Sequence, residues 1–176
     1  MNTDDPQYVS RPTRLILGVG LMYLAAYQIF KLPPVLPELL ESYQYDRTLA
    51  GGFMSVYAAV GLFLSVPLGR TVARSGPVPV VTISILFMIA GNLAGLTYAS
   101  SGGAMLLARC LEGIGFAGFA IVGPVMAHRY ASRVMLPIVI SLTAIWIPVG
   151  QLIAAGITPF IIPQYDWGGL WWIGIA

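Results

Sequence analysis

Long apolar segments recur along the chain, and short polar breaks separate them. A helix needs about 20 mostly apolar residues to cross the roughly 30 Å hydrocarbon core of a bilayer. Five segments have this length, and the beginning of another follows the last break. The predicted spans are residues 15–36, 50–68, 78–98, 104–127 and 136–157, with a sixth helix starting at residue 167 and cut off at the end of the chain. Pro159 to Asp166 is interpreted as a loop. Because the segments are continuously apolar rather than alternating, they predict an all-α membrane protein, a polytopic bundle of transmembrane helices, and exclude a β-barrel.

The charges in the predicted loops differ between the two sides of the membrane. One side carries six arginines: Arg11, Arg14, Arg70, Arg74, Arg129 and Arg133. The other side carries four acidic residues and one basic residue: Glu38, Glu41, Asp46, Asp166 and Arg47. Because cytoplasmic loops are enriched in Lys and Arg, residues 1–14 are predicted to be a cytoplasmic tail and residues 15–176 a transmembrane bundle. A multi-pass protein of the plasma (inner) membrane is expected.

Composition supports the membrane prediction and argues against other classes. Apolar residues make up 57% of the chain and charged residues 9%, against about 25% charged in a soluble domain. The net charge of +2 is small and scattered, so nucleic acid is not an expected partner. A single cysteine, Cys110, excludes an internal disulfide and any metal site built from several cysteines. No metal or other cofactor is predicted, and no catalytic motif or catalytic residue is found.

Two charged residues fall inside the fourth predicted span. Arg109 and Glu112 are three residues apart, so they share a helix face, and they lie about 9 and 13 Å from the start of the span at Gly103. Ionisable groups at such depth are costly and usually face the bundle interior or a wet cavity. Two interpretations stay open, an ion pair that anchors the helix and a site for substrate binding or proton coupling.

Two further residues, Lys31 and Gln151, are candidates for the same kind of site, and Pro148 is a candidate packing residue near the second. Lys31 lies about 24 Å along the first span and is expected to snorkel to the outer interface. In the alternative interpretation it faces a cavity, where together with Arg109 it would favour an organic anion as substrate. In the fifth span, Pro148 frees one backbone carbonyl and is expected to act as a packing kink. Gln151, one turn later, is a candidate for a side chain that faces the cavity.

Small and aromatic residues predict how the helices sit in the membrane. Gly91 and Gly95 in the third span have the four-residue spacing that allows close helix packing in lipid. Tryptophans concentrate at membrane interfaces, and most of those in this chain are expected to be interface anchors. They are Trp146, Trp167, Trp171 and Trp172.

The fourth span resembles a motif of the major facilitator superfamily, Arg-x-x-Gln-Gly-x-Gly-x-Ala. Arg109, Gly113, Gly115 and Ala117 match it. Glu112 stands where the family often has Gln, which replaces a neutral hydrogen-bonding group by a titratable one.

The loop between the second and third spans carries a second resemblance to the same family. Gly69, Arg74 and Gly76 are in register with its pattern of Gly, three residues, Asp, a basic residue, any residue and Gly. Ala73 replaces the Asp, and two uncharged residues follow where the family has a basic pair. The resemblance implies a gating loop with its tight turn intact but without the acidic latch. The alternative for Arg74 is an ordinary positive-inside residue.

Taken together, these features resemble the N-terminal half of a major facilitator superfamily transporter. The resemblance implies a secondary active transporter that moves a small solute by alternating access, between this half and a missing C-terminal six-helix half. The half alone is expected to be inactive. The alternatives are a non-transporting membrane scaffold or receptor, a degenerate transporter fragment, and a membrane enzyme, for which the usual motifs are missing.

Overall fold

The computed structural model describes residues 11–176, and these residues are helical throughout apart from short connections. The helices are α1 (Pro12–Phe30), α2 (Leu36–Tyr43), α3 (Arg47–Ser75), α4 (Pro77–Thr97), α5 (Gly102–Tyr130), α6 (Leu136–Tyr165) and α7 (Gly168–Ile173). A 3₁₀ turn, Pro33–Val35, joins α1 to α2. Most of the predicted cytoplasmic tail, residues 1–10, lies outside the described residues.

Five helical segments are long and apolar enough to cross a membrane. They are Pro12–Tyr43, Arg47–Ser75, Pro77–Thr97, Gly102–Tyr130 and Leu136–Tyr165. The first combines α1, the 3₁₀ turn and α2. The described residues contain no strand, so the prediction of an all-α transmembrane bundle is confirmed.

One predicted loop is wrong, because α6 continues to Tyr165 through Pro159 and Pro163. A proline removes one backbone hydrogen bond, but the other bonds of a membrane helix can hold it together. The hydroxyl of Thr158 also donates to the carbonyl of Ala154 at 2.6 Å. The helix ends instead at Tyr165, because the next residue, Asp166, has a φ of +57° that breaks the helical geometry.

The centre of the bundle is formed by α1 and α5. In their most apolar windows 56% of residues are buried, against 17% in α3 and α6, so α3 and α6 lie on the outside of the described bundle. Close packing on α5 depends on glycine. A Cβ at Gly91 of α4 would lie 2.6 Å from Cγ of Glu112, and one at Gly115 would lie 2.6 Å from the carbonyl oxygen of Ser84. A Cβ added at Gly113 would lie 3.5 Å from Cα of Tyr57, an ordinary van der Waals contact, so this position does not require glycine.

The end of the bundle that carries the loop arginines is fastened by side chains of α1 and α5. Arg14 donates to the hydroxyl of Tyr130 at 3.0 Å. At the same end, Gly76 has a φ of +81° and forms the tight turn between α3 and α4. That conformation explains why the turn requires glycine.

Candidate functional site

Seven side chains from five helical segments form a buried polar cluster inside the bundle. They are Gln28, Lys31, Tyr57, Asn92, Arg109, Glu112 and Trp171, and none of them has exposed surface. We call this set the polar cluster. Because every member is enclosed, its polar atoms depend on hydrogen-bond partners within the protein rather than on water.

The carboxylate of Glu112 is the centre of the polar cluster. Its Oε2 accepts hydrogen bonds from Arg109 at 2.5 Å and from the hydroxyl of Tyr57 at 2.7 Å. Its Oε1 accepts from Nζ of Lys31 at 3.2 Å. One carboxylate oxygen is therefore held tightly by two donors, and the other is held more loosely by one.

Arg109 reaches from α5 to the end of α1. Its guanidinium donates to the carbonyls of Gln28 at 3.3 Å and Ile29 at 3.4 Å. These residues belong to the last turn of α1, where carbonyls lack ordinary helical partners and attract cations. A further bond joins Nε of Arg109 to the carbonyl of Phe53 at 3.4 Å, and the guanidinium lies 4.1 Å from the ring centre of Tyr57. Arg109 thus ties α1, α3 and α5 together.

Lys31 points into the bundle, so the prediction that it snorkels to the interface is wrong. Its Nζ donates to the side-chain oxygens of Gln28 at 2.6 Å, Asn92 and Glu112. An ammonium group has three N–H donors, and all three have an acceptor inside the protein. The alternative interpretation, in which Lys31 faces inward with Arg109, agrees with the structure.

The two amide side chains are oriented so that their oxygens face Lys31. Nε2 of Gln28 donates to the carbonyl of Gly174 at 2.9 Å, and Nδ2 of Asn92 donates to the carbonyl of Met88 at 2.7 Å. Because each amide nitrogen is engaged elsewhere, each amide oxygen is left for the ammonium group. The site is thus built to hold a cation at Nζ.

Trp171 of α7 covers Lys31, with Nζ 4.4 Å from the centre of the indole ring. The expectation that Trp171 anchors at the interface is wrong, whereas Trp172 is 58% exposed. Gly95 gives the indole room, since a Cβ there would lie 2.8 Å from Nε1. Among the described residues, Nε1 of Trp171 is the buried side-chain nitrogen or oxygen that has no hydrogen-bond partner.

Several predicted site residues lie away from the polar cluster. Gln151 and Pro148 are exposed on α6. Arg74 is exposed near the turn at Gly76, and Gly69 lines a separate cavity of about 270 Å³ beside Arg129. These positions therefore have no contact with the polar cluster in this arrangement of the helices.

Four members of the polar cluster were not predicted from the sequence. Gln28 lies one turn before Lys31, and Asn92 is a polar residue beside Gly91 in a span without charge. Both positions could have been noticed as polar groups at membrane depth. Tyr57 and Trp171 carry no such signal, because aromatic residues are common in membrane helices.

The charges of the polar cluster do not cancel. Lys31 and Arg109 are cations and Glu112 is the anion, which leaves one positive charge when all three are ionised. The described residues supply no second carboxylate in contact with these side chains. The site therefore combines complete burial with a surplus cation.

Comparison with known proteins identifies the fold. The family model described as Major Facilitator Superfamily matches residues 15–176, which is nearly all of the chain. No curated protein gives a significant match. Members of this superfamily are transporters rather than enzymes, and the five apolar helices agree with a multi-pass membrane protein. The chain therefore belongs to the Major Facilitator Superfamily and represents a membrane transporter of that kind.

Proposed function

We propose that the chain forms the N-terminal half, with five spans and the start of a sixth helix, of a secondary active transporter that moves a small organic anion by alternating access. The observation that carries the proposal is the polar cluster, a fully buried site with a surplus cation next to the fourth-span motif of the family. Transporters of this kind bind solute near the membrane midplane between two repeats. The proposed functional groups are Arg109, Glu112 and Lys31.

The surplus charge favours a functional role over simple anchoring. Arg109 and Glu112 alone would form a neutral pair, which would be sufficient to fasten α5. Lys31 adds a second buried cation, and two amide groups are oriented toward it. Charges in membrane spans are costly and usually mark substrate or ion pathways, and an anionic solute would balance this one.

The free N–H of Trp171 supports the same solute class. A buried donor without an acceptor requires an explanation, and an anion beside Lys31 would supply the missing acceptor. Solute entry requires helix movement, because the polar cluster is closed. The short helix α7 is attached to α1 by two side-chain bonds, from Tyr27 to the carbonyl of Leu170 at 2.7 Å and from Gln28 to that of Gly174. We assign α7 as the element that moves, because it carries Trp171, the side chain that covers Lys31.

The remaining predicted residues are proposed to contact the second half of the transporter or to control access to the site. In the proposal, the exposed faces of α3 and α6 contact that half, and Gln151 and Pro148 lie on this contact surface. The loop with Gly69, Arg74 and Gly76 controls access on the cytoplasmic side. The N-terminus is cytoplasmic, and the membrane is the plasma membrane.

Counterflow in proteoliposomes tests the proposal with the full-length protein. Vesicles are preloaded with one unlabelled solute and assayed for uptake of the same solute in labelled form. The solutes tested are three monoanions (gluconate, lactate and methanesulfonate), the dianion succinate, and the non-anionic solutes glucose and choline. We expect saturable counterflow of at least one anion and none of choline. Failure of a folded protein to carry any anion would contradict the proposal, and failure with every solute would favour a scaffold or receptor.

Trp171→Phe tests the site itself. Phe keeps a ring over Lys31 and removes only the N–H, so the half-saturating anion concentration should rise about tenfold, the equivalent of one hydrogen bond of roughly 1.4 kcal/mol. Trp172→Phe, one residue away and exposed, is the matched control and should leave it unchanged. Equal effects of the two variants would place the anion elsewhere.

A further inference from the structure

We infer that Lys31 binds and releases the transported proton, so that one monoanion and one proton cross the membrane together. This inference rests on the proposed function and adds the coupling ion and the stoichiometry. It assigns Glu112 the role of a fixed counter-ion. The geometry of the polar cluster and its charge balance support it in four steps.

The first step is the charge of the empty site. With Arg109, Glu112 and Lys31 all ionised, the polar cluster carries one positive charge. Adding a proton to Glu112 would raise this charge to two, whereas removing a proton from Lys31 would bring it to zero. A net charge enclosed in a membrane protein is costly. A proton that leaves Lys31 therefore reduces that cost, and a proton that joins Glu112 increases it.

The second step is the hydrogen bonding of Lys31. An uncharged amine has two N–H donors, one fewer than the ammonium group. Nζ donates to Gln28 at 2.6 Å and also to Asn92, and its bond to Glu112 is the longest of the three at 3.2 Å. Loss of one proton can thus be accommodated by giving up the bond to Glu112. The carboxylate of Glu112 still accepts hydrogen bonds from Arg109 and Tyr57 at its other oxygen.

Third, the other titratable groups around Lys31 lie on α5, α3 and α1. On α5 these are Glu112 and Arg109, and a guanidinium stays protonated in proteins. On α3 the group is Tyr57, which donates its proton to Glu112, and on α1 it is Tyr27, which donates to the carbonyl of Leu170. The groups that face Lys31 from α4 and α7 are Asn92 and Trp171, which do not titrate. Lys31 is therefore the group able to neutralise the site.

The fourth step is the transport cycle. On the side of entry, the Lys31 amine takes a proton from water, forming an N–H bond, and the resulting positive charge is balanced by the monoanion. On the other side the anion leaves and the proton returns to water, so that the empty site is again uncharged. Both the loaded and the empty site move without net charge, which gives electroneutral symport of one anion and one proton.

Proton uptake on binding tests the inference with the unmodified protein. Full-length transporter in weakly buffered detergent solution is titrated with the monoanion that gives the fastest counterflow, and a pH indicator reports protons taken up. We expect uptake to approach one proton per bound anion at alkaline pH, where Lys31 is uncharged before binding. Anion binding without proton uptake across the pH range in which the protein stays folded would overturn the inference.

Lys31→Arg separates proton transfer from simple charge, because arginine keeps the cation but cannot release its proton. Counterflow, in which the site stays loaded, should survive in this variant. Uptake driven by a pH gradient and proton uptake on binding should both be lost. The matched control is Arg47→Lys at the surface of the opposite end of the bundle, which should leave all three unchanged. Coupled uptake at the wild-type rate in Lys31→Arg would contradict the inference.

The two proposals fail in different ways. If no anion is carried, the proposed function is wrong. If the anion is carried and bound without a proton, or if Glu112→Gln rather than Lys31→Arg selectively removes coupling while counterflow continues, the proposed function stands and Lys31 is not the proton carrier.

Discussion

Replacing Glu112 by Gln removes the anion of the polar cluster and hardly changes the size of the side chain. At acidic pH, where Lys31 is protonated, both cations then lose their counter-ion, Arg109 at 2.5 Å and Lys31 at 3.2 Å. The hydrogen bonds from Tyr57 and Arg109 then have the uncharged amide oxygen of the introduced glutamine as acceptor, which is weaker than a carboxylate oxygen. The enclosed charge rises from one to two if Lys31 keeps its proton.

The expected loss of stability is large. Removing one partner of a buried ion pair costs about 3–5 kcal/mol. At about 2–4 °C per kcal/mol for a domain of this size, the melting temperature of the protein should fall by about 6–20 °C. Glu41→Gln is the matched control, because Glu41 is exposed and forms no ion pair among the described residues. Its melting temperature should stay within about 2 °C of the wild type, as surface substitutions usually do.

Scanning fluorimetry of the purified full-length protein in detergent measures these changes. A double variant gives the decisive comparison. Removing Lys31 as well, by Lys31→Met, takes away one of the unpaired cations, so Glu112→Gln should be less harmful in that background by about 0.5–3 kcal/mol. Equal effects of Glu112→Gln in both backgrounds would refute the view that Lys31 and Glu112 form one ionic unit.

Three other predictions concern the fold and the orientation. Gly76→Ala should destabilise the protein by about 1–3 kcal/mol because of its φ of +81°, whereas Gly69→Ala, a helical position with free space, should stabilise it slightly; equal melting temperatures would contradict this. In a Cys110→Ser background, a membrane-impermeant thiol reagent applied outside should label Ser42→Cys, and Ser132→Cys should be labelled only after permeabilisation; the reverse would invert the predicted topology. The 176-residue chain alone should show no saturable uptake, whereas the chain joined to a second six-helix half should show it. Saturable uptake by the monomeric 176-residue chain would contradict the need for two halves.

Much of the architecture follows from local sequence patterns. Segment length and continuous apolarity predicted five spans, and the three-residue spacing of Arg109 and Glu112 predicted that they share a helix face. Gly91 and Gly95 were singled out as packing positions by their spacing, and Gly113 and Gly115 by their match to the family motif. Each of these inferences needs only neighbours along one helix.

The rest of the site depends on contacts between distant segments. Lys31 and Asn92 are 61 positions apart, so no local pattern indicates that the amide oxygen stabilises the ammonium group inside the bundle. The snorkelling prediction failed for this reason. The position of Trp171 was predicted incorrectly, because the enrichment of tryptophan at membrane interfaces gives no information about its contact with Gly95. Gly95 is the residue that leaves room for the indole inside the bundle. The course of α6 was predicted incorrectly because proline was treated as a helix end, although a membrane helix can continue through it.

The central claim is that the polar cluster receives the transported solute. A cryo-electron microscopy structure of the full-length protein with the transported monoanion bound tests it most directly. We predict density for the anion within hydrogen-bond distance of Nε1 of Trp171 and Nζ of Lys31, with Glu112 still paired to Arg109 and α7 displaced from Gly95. Density for the anion elsewhere, with the polar cluster closed as it is here, would contradict the claim.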